Sequence, residues 1–493
     1  MRIVRMVCIA ILAVGVVSGS PGQSAGSGTS ASLDAERLQA IDSFVASEMA
    51  RQHIPGLSLG IYNRGQVVLA KGYGEANVEL QVAVKPETIF QSGSMGKQFV
   101  SAAIMMLVEE GRISLDDSIV KYFPDAPVTW KPILIKNLLS HTSGLSEYES
   151  DERTGPNGPF YLRLDFTEDQ LVTKIEALPI EWAPGTNWAY RNTNYVLLGV
   201  VIHKVTGKPY WEFLGKRIFK PLGMTSTRLI SERDIIPNRA AGYELENGQI
   251  KNQAWVSPTF NSTADGALYF NVLDLAKWDG ALYGTQLLKQ SSLDLMWTVY
   301  KLNNGKPNPA NYGFGWDIDE QNGHRRIEHD GQWQGFTSNI ARYPDDGITV
   351  VALTNLAEGD PGLVAHVVAG LADPALKMAK LGAIPDDQPA IAAALTKVLG
   401  QLAAGEDIRS ECDVKLAARI TPAAAKRAQE KLAKLWPGGT LTLVKRTPVP
   451  DHAGLSTSIF RLNIGTEAAL IYFSRDADGR ISTLGVRADR EYE

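Results

Sequence analysis

The sequence predicts an α/β (α+β) chain: a sheet of largely antiparallel strands flanked by helices, with a helical region inserted and a small α+β module behind it. Three observations carry this. Strand-like runs open and close the first three-quarters of the chain with apolar helical runs between them, so strands from both ends would meet in one mixed sheet. Near residues 376–389 the composition shifts to Ala, Lys, Asp and Pro, which reads as a linker. The 493 residues, 44% apolar and 21% charged, are enough for two or three soluble domains with a large core.

The elements follow in order. Arg2 and Arg5 precede the apolar residues 6–17 and then small residues, the pattern of a signal peptide too short to span a bilayer. We expect residues 1–25 to hold that signal and the start of a Gly/Ser-rich linker, and the protein to be exported to the periplasm or beyond. Cys8 lies in the signal, which leaves Cys412 alone and excludes an internal disulfide. No later run approaches the ~20 apolar residues of a membrane helix, so no transmembrane anchor remains after signal removal. The net charge of −5 without a basic stripe argues against nucleic acid as a partner.

Leu38, Ile41, Val45 and Met49 recur at helical spacing. Two β-rich runs then flank Asn63-Arg64-Gly65, a hairpin signal. The run VSAAIMMLVEEG is apolar nearly all round and ends at Gly111, which reads as a buried helix with a glycine stop; NYVLLGVVIHKVTG, ending at Gly207, reads likewise. GFGWDIDE, HRRIEHDG and TSNIARYPDDGITVVALTN form an antiparallel meander. Beyond the linker come helical stretches at 391–399 and 422–435, then strands at TLTLVKR, STSIFRLNI, ALIYFSR and ISTLGVR, with a turn at DADGR. The domains predicted are therefore 33–375, which carries the chemistry, and 386–493, with no catalytic constellation.

Two serines compete as nucleophile. Ser58 stands in a literal G-x-S-x-G, but that motif requires a strand-to-helix elbow and here no helix follows. Ser94-Met95-Gly96-Lys97 is S-x-x-K at the head of a buried helix, where residues i and i+3 share a face and the helix N-terminus supplies N–H groups for an oxyanion. Ser118-Ile119-Val120-Lys121 repeats the pattern in a polar connector, so context decides for Ser94; Ser92 reads as a turn or capping residue. Tyr190-Arg191-Asn192 supplies a tyrosine and an amide before the second buried helix. His329-Asp330-Gly331 lies on a late strand, where the glycine would let a substrate approach. His141 reads as structural.

FQSGSMGKQF, EEGRISLDDSIVKYFPD, LLSHTSGL, PGTNWAYRNTNYVLLG, PLGMTST, YGFGW and HDGQWQGF, in this order over residues 38–371, resemble the serine β-lactamase and penicillin-binding protein superfamily. The likeness is strongest to its class C β-lactamase, D-Ala-D-Ala carboxypeptidase, D-aminopeptidase and esterase branch. The resemblance implies a β-lactamase-like antiparallel sheet flanked by helices, with a helical subdomain and the active site between the two. It implies Ser94 as acylated nucleophile, Lys97 as its base and Tyr190 as a second proton shuttle. Asn192 would orient the tyrosine, the lysine or a substrate amide, and the backbone N–H groups of Ser94 and Gln332 would form the oxyanion hole. No cofactor and no metal are implied.

The departure lies in the third motif. Relatives that hold a substrate carboxylate carry Lys-Thr-Gly or Lys-Ser-Gly, where this chain has His329, Asp330 and Gly331. An imidazole is mostly uncharged at neutral pH, and an inward Asp330 would repel a carboxylate. The reading is therefore an exported serine hydrolase of small-molecule or short-peptide esters or amides, cell-wall fragments among them. The alternatives are a β-lactamase or D-Ala-D-Ala carboxypeptidase, and a catalytically silent binding or sensor protein. His329 joins the catalytic candidates, Asp330, Gly331 and Trp333 the substrate-binding ones; Trp333 lines the pocket mouth or covers the sheet. The acyl and leaving groups and the oligomeric state are not legible.

Overall fold

The computed structural model describes residues 33–489 apart from 247, 379–380, 421–424, 427–428, 430–431, 433–438, 449–455 and 465–466. The expected signal segment and most of the helix expected at 422–435 lie outside the described residues. Helix α1 (Ala35–Gln52) starts where Asp34 accepts the Arg37 N–H, and it buries Ile41 and Val45. Strands β1 (Gly56–Asn63) and β2 (Gln66–Asn77) form the predicted hairpin. Arg64 and Gly65 both take positive φ, 46° and 80°, the turn whose twist matches paired strands. A Cβ at Gly65 would also lie 2.2 Å from the Gly280 Cα, so the turn can hold only glycine there.

The main sheet adds β3 (Val82–Ala83), β4 (Asp317–Gln321), β5 (His324–Trp333), β6 (Phe336–Tyr343) and β7 (Ile348–Thr354), in the order β3-β2-β1-β7-β6-β5-β4. Every pairing is antiparallel, which corrects the mixed sheet read from the strand pattern. The reason is topological. Each group is joined internally by short turns, and β1 meets β7 running the opposite way, with Leu59 opposite Ala352.

Both faces of this sheet are covered, and β6 and β7 are buried along their whole length. Val350 and Ala352 pack with Ile41, Val45 and the Val364 and Val368 of α5 (Pro361–Ala372). Val351 and Leu353 face the other way, into a larger core with α2 (Lys97–Glu109), α3 (Asn192–Thr206) and α4 (Val272–Ala281). Lys97 through Leu107 are all buried. Gly111 and Gly207 follow α2 and α3 in the left-handed conformation, as predicted.

The C-terminal residues form α6 (Pro389–Ala404) and an antiparallel sheet of β8 (Thr440–Pro448), β9 (Ser456–Ile464), β10 (Glu467–Arg475) and β11 (Ile481–Asp489). Leu395, Leu399, Phe460, Ile471 and Phe473 make a hydrophobic cluster of their own, with Cys412 buried in it. No helix among the described residues is long and apolar enough to cross a membrane.

A buried ion pair ties the sheet to α4. Arg342 Nε on β6 donates to Asp279 Oδ1 at 2.7 Å, Thr349 Oγ1 donates to the same oxygen, and the guanidinium lies over the Tyr283 and Trp297 rings. Removing one partner leaves an uncompensated buried charge, so Asp279→Ala is expected to lower the unfolding free energy by about 3–5 kcal/mol. Denaturant unfolding checks this, and a loss below about 1 kcal/mol would count against it.

Candidate active site

Ser94 stands in a 3-10 turn, Gly93–Gly96, that runs directly into α2. In a 3-10 turn side chains three apart eclipse, and Lys97 Nζ comes to 2.9 Å from Ser94 Oγ. The same ammonium donates to Asn192 Oδ1 at 2.8 Å and to the Asp265 carbonyl oxygen. Lys97 is fully buried, and desolvation pushes its pKa down to about 8, against the pull of nearby carboxylates. On the order of one amine in ten is then neutral at pH 7, enough to supply a base.

The turn is clamped from three sides. Ser92 Oγ donates to the Gly266 carbonyl, and Ser338 Oγ on β6 donates to the Ser92 carbonyl. A Cβ at Gly331 would meet that same carbonyl oxygen at 2.0 Å. The room expected at Gly331 for a substrate is thus filled by the nucleophile's own turn. Gly93, at φ +51°, lies so close to β5 that a Cβ would come within 2.3 Å of the Gln332 nitrogen. The N–H groups of Ser94 and Gln332 therefore flank one glycine, an arrangement suited to a shared oxyanion.

Tyr190 lies beside Ser94, and burial holds its hydroxyl well above its ordinary pKa, so it is protonated at neutral pH. Its ring lies under the Lys97 ammonium at 4.9 Å and against His141 at 4.4 Å between centroids. His141 Nδ1 accepts from the Arg191 N–H and from the Asn194 amide, and burial keeps the imidazole neutral. This is the packing role read from its sequence context. His329 is also buried, with its pKa pushed down to about 4, chiefly by desolvation. Its Nδ1–H donates to the Asp330 carbonyl at 2.6 Å, so Nε2 accepts from the Tyr312 hydroxyl at 2.9 Å. Both ring nitrogens are engaged behind Tyr190. The Asp330 side chain, by contrast, is 78% exposed and points outward.

The opposite wall is acidic. Glu147 accepts from the backbone N–H of Asn192 and of Glu149, Glu149 accepts from Asn192 Nδ2, and Asp265 accepts from the Tyr148 hydroxyl. Burial pushes Glu147 up to about 7 and Glu149, with Asp265 and Glu147 adding to it, up to about 8. A narrow cleft opens between the walls, lined by Ser94, Tyr148, Glu149, Asn192, Gln332 and Trp333 among others. Trp333 thus lies on the cleft, held by its indole N–H on Asn261 Oδ1.

The structure brings Ser94, Lys97, Tyr190 and Asn192 together and leaves the decoys apart. Ser58 sits in mid-strand, paired on both sides. Ser118 donates to the Lys131 carbonyl while Lys121 turns to Asp117. Glu147, Glu149 and Asp265 were missed. The triplet Glu147-Tyr148-Glu149 just after SHTSGL was a visible signal, since acidic residues rarely accompany buried aromatics without a reason. Asp317, His329 and Asp330 place three ligand-type atoms within 4.8 Å of one another, the group among the described residues best able to approach a cation.

A profile of the Beta-lactamase family matches residues 41–372. Protein flp of Staphylococcus aureus (strain COL) is 31% identical over 349 residues, 68% of this chain and 66% of that protein. Penicillin-binding protein 4* of Bacillus subtilis (strain 168) is 28% identical over 315 residues, 60% of this chain and 66% of the relative. The chain thus spans 66% of the length of these relatives. Among solved structures, the D-stereospecific amidohydrolase from Streptomyces sp. is 28% identical with a TM-score of 0.56, over 68% of this chain and 97% of its own. The D-amino acid amidase from Ochrobactrum anthropi SV3, complexed with L-phenylalanine amide, is 25% identical with a TM-score of 0.59, over 69% and 98%. The octameric penicillin-binding protein homologue from Pyrococcus abyssi, 24% identical, shares the fold over 92% of this chain and 96% of its own, with a TM-score of 0.63.

Lys97 must lose its proton before it can take one from Ser94. Labelling of Ser94 by a fluorophosphonate is therefore expected to accelerate with pH and level off above about 8. Lys97→Arg, whose guanidinium does not deprotonate, is expected to slow labelling by roughly a thousandfold or more. Rates measured from pH 6 to 10, with the adduct located by peptide mass spectrometry, check both; a flat profile would count against them.

Proposed function

The chain belongs to the β-lactamase family, and from that premise we propose that it is a serine hydrolase acting through an acyl-enzyme at Ser94 on esters or amides that carry no carboxylate beside the scissile bond. The observation that carries the reading is the buried Lys97 amine, bonded at once to Ser94 Oγ and Asn192 Oδ1. Ser94 Oγ attacks the carbonyl carbon while its proton passes to neutral Lys97. The carbonyl oxygen gains the negative charge and takes hydrogen bonds from the Ser94 and Gln332 N–H groups. The Tyr190 hydroxyl hands a proton to the leaving nitrogen or oxygen and is resupplied from Lys97. Water then adds to the ester carbon, its proton follows the same path, and Ser94 leaves protonated with the acid released.

Substrate preference follows from charge. His329 is neutral at pH 7 and its nitrogens are engaged, so no cation stands where a carboxylate anchor would be needed. Glu149 and Asp265 line the opposite wall, where burial raises the Glu149 carboxyl to about 8, so that wall offers a substrate carboxylate no countercharge. Both features disfavour β-lactam and D-Ala-D-Ala carboxylates and favour neutral substrates or those bearing an amino group. The names of the Streptomyces and Ochrobactrum neighbours, an amidohydrolase and an amino acid amidase, support an amide. The leader-like residues at 1–25 support export, and the linker composition near 376–389 supports a separate C-terminal domain.

The test compares kcat/KM for p-nitrophenyl esters, amino acid amides of both configurations, a chromogenic cephalosporin and a D-Ala-D-Ala peptide. Esters or amino acid amides are expected to lead by at least about tenfold, as one lost charge contact is worth 1.4 kcal/mol or more. Dominant cephalosporin turnover would reverse the assignment. An unlabelled Ser94 would replace it with a binding protein.

A further inference from the structure

Asn192 links the lysine to both glutamates of the cleft. Its Oδ1 accepts from Lys97 Nζ, its Nδ2 donates to Glu149 Oε2, and its backbone N–H donates to Glu147 Oε2. This fixes the orientation of the amide. An ammonium can only donate, so the amide oxygen must face Lys97, which leaves the amide nitrogen for Glu149. Both glutamate carboxyl groups accept from N–H groups, and both feel the Lys97 ammonium nearby.

We propose that Glu149 is a positioning residue for Lys97, which through the Asn192 carboxamide holds the lysine in its ammonium form and so sets the pH at which the amine becomes free to act. This rests on the reading of Lys97 as the base. Other charged groups act on the ammonium from the surrounding elements: Asp265 with its backbone oxygen and its carboxyl group, Glu147 from the same loop as Glu149, and, least, Asp330 on β5, whose side chain points outward. Neutral His329 and His141 and the Tyr190 and Tyr195 rings complete the shell. Glu149 is bonded to the Asn192 carboxamide that itself contacts Lys97, whereas Glu147 bonds the Asn192 backbone, and Glu149 also lines the cleft beside Ser94. It is thus the carboxylate through which a change in the cleft reaches the base.

The sign is fixed. A negative charge near Lys97 stabilises the ammonium and raises the pH of its release. Burial raises the Glu149 carboxyl to about 8, so its charge forms over the same pH range in which Lys97 releases its proton. Glu149→Gln removes that charge, keeps an oxygen for Asn192 Nδ2, and should shift the titration of Lys97 to lower pH by about one unit. Glu149→Asp keeps the charge and should leave the midpoint near that of the parent. Glu147→Gln should move it in the same direction as Glu149→Gln, by less.

The experiment follows the Nζ resonance of Lys97 in the full chain labelled with [15N]lysine, assigned by its loss in Lys97→Met, from pH 6 to 11. This readout needs no turnover, so it judges the proposal even if Ser94 proves unreactive, and that second result would remove only the hydrolase reading. In parallel, the pH profile of fluorophosphonate labelling should show the same acid shift in Glu149→Gln. An unchanged or alkaline-shifted Lys97 midpoint overturns the proposal, as does a uniform loss of labelling at every pH with the midpoint in place. Should Glu149→Gln not fold, Glu147→Gln read the same way decides: an acid shift supports the coupling and none overturns it.

Discussion

The Lys97 ammonium is kept from water by three hydrogen bonds, to Ser94 Oγ, Asn192 Oδ1 and the Asp265 carbonyl, and each acceptor comes from a different part of the chain. Burying a charge in this way is costly unless every proton finds an acceptor. The fold is arranged to meet that condition. The 3-10 turn places Ser94 over Lys97, the first residue of α3 brings Asn192, and the segment that follows Phe260 brings Asp265. The sheet contributes indirectly: β5 and β6 press on Ser92 and Gly93 and hold the turn in register with the helix.

Around that cation the cleft is unevenly charged. Three carboxylates gather on one wall, and the imidazole on the strand side is neutral. The aromatic residues Tyr190, Tyr195 and Tyr312 fill the space behind, with His141 stacked among them. Their packing does for orientation what a charged anchor does elsewhere. The Tyr190 ring is held by Tyr312, His329 and His141 around it and by the Lys97 ammonium over its face.

Much of this was legible in the sequence, and for identifiable reasons. The S-x-x-K spacing maps onto a helical turn, the apolar run behind it can only be buried, and glycines marked both helix ends. Asn63-Arg64-Gly65 announced a hairpin because only that chemistry suits the turn. What the sequence concealed was partnership across long separations. That Glu149 meets Asn192, or that Gly331 yields room to Ser92, depends on loops folded against a sheet edge, and no local period encodes it. The outward direction of Asp330 was readable in principle, since alternation along a strand puts neighbours on opposite faces. Once His329 faces in, Asp330 faces out.

The acidic wall has a bearing on what departs from the cleft as well as on what enters it. In the proposed reaction, hydrolysis of an uncharged ester or amide ends in a carboxylic acid, which ionises at pH ~4 and is an anion at neutral pH. That anion would form beside Asp265 and a Glu149 carboxyl that burial raises to about 8, with His329 offering no countercharge. An anion left without a partner in a half-desolvated site is costly. On the proposed reaction the product would thus fit the cleft less well than the neutral molecule it came from, and would compete poorly with the next one.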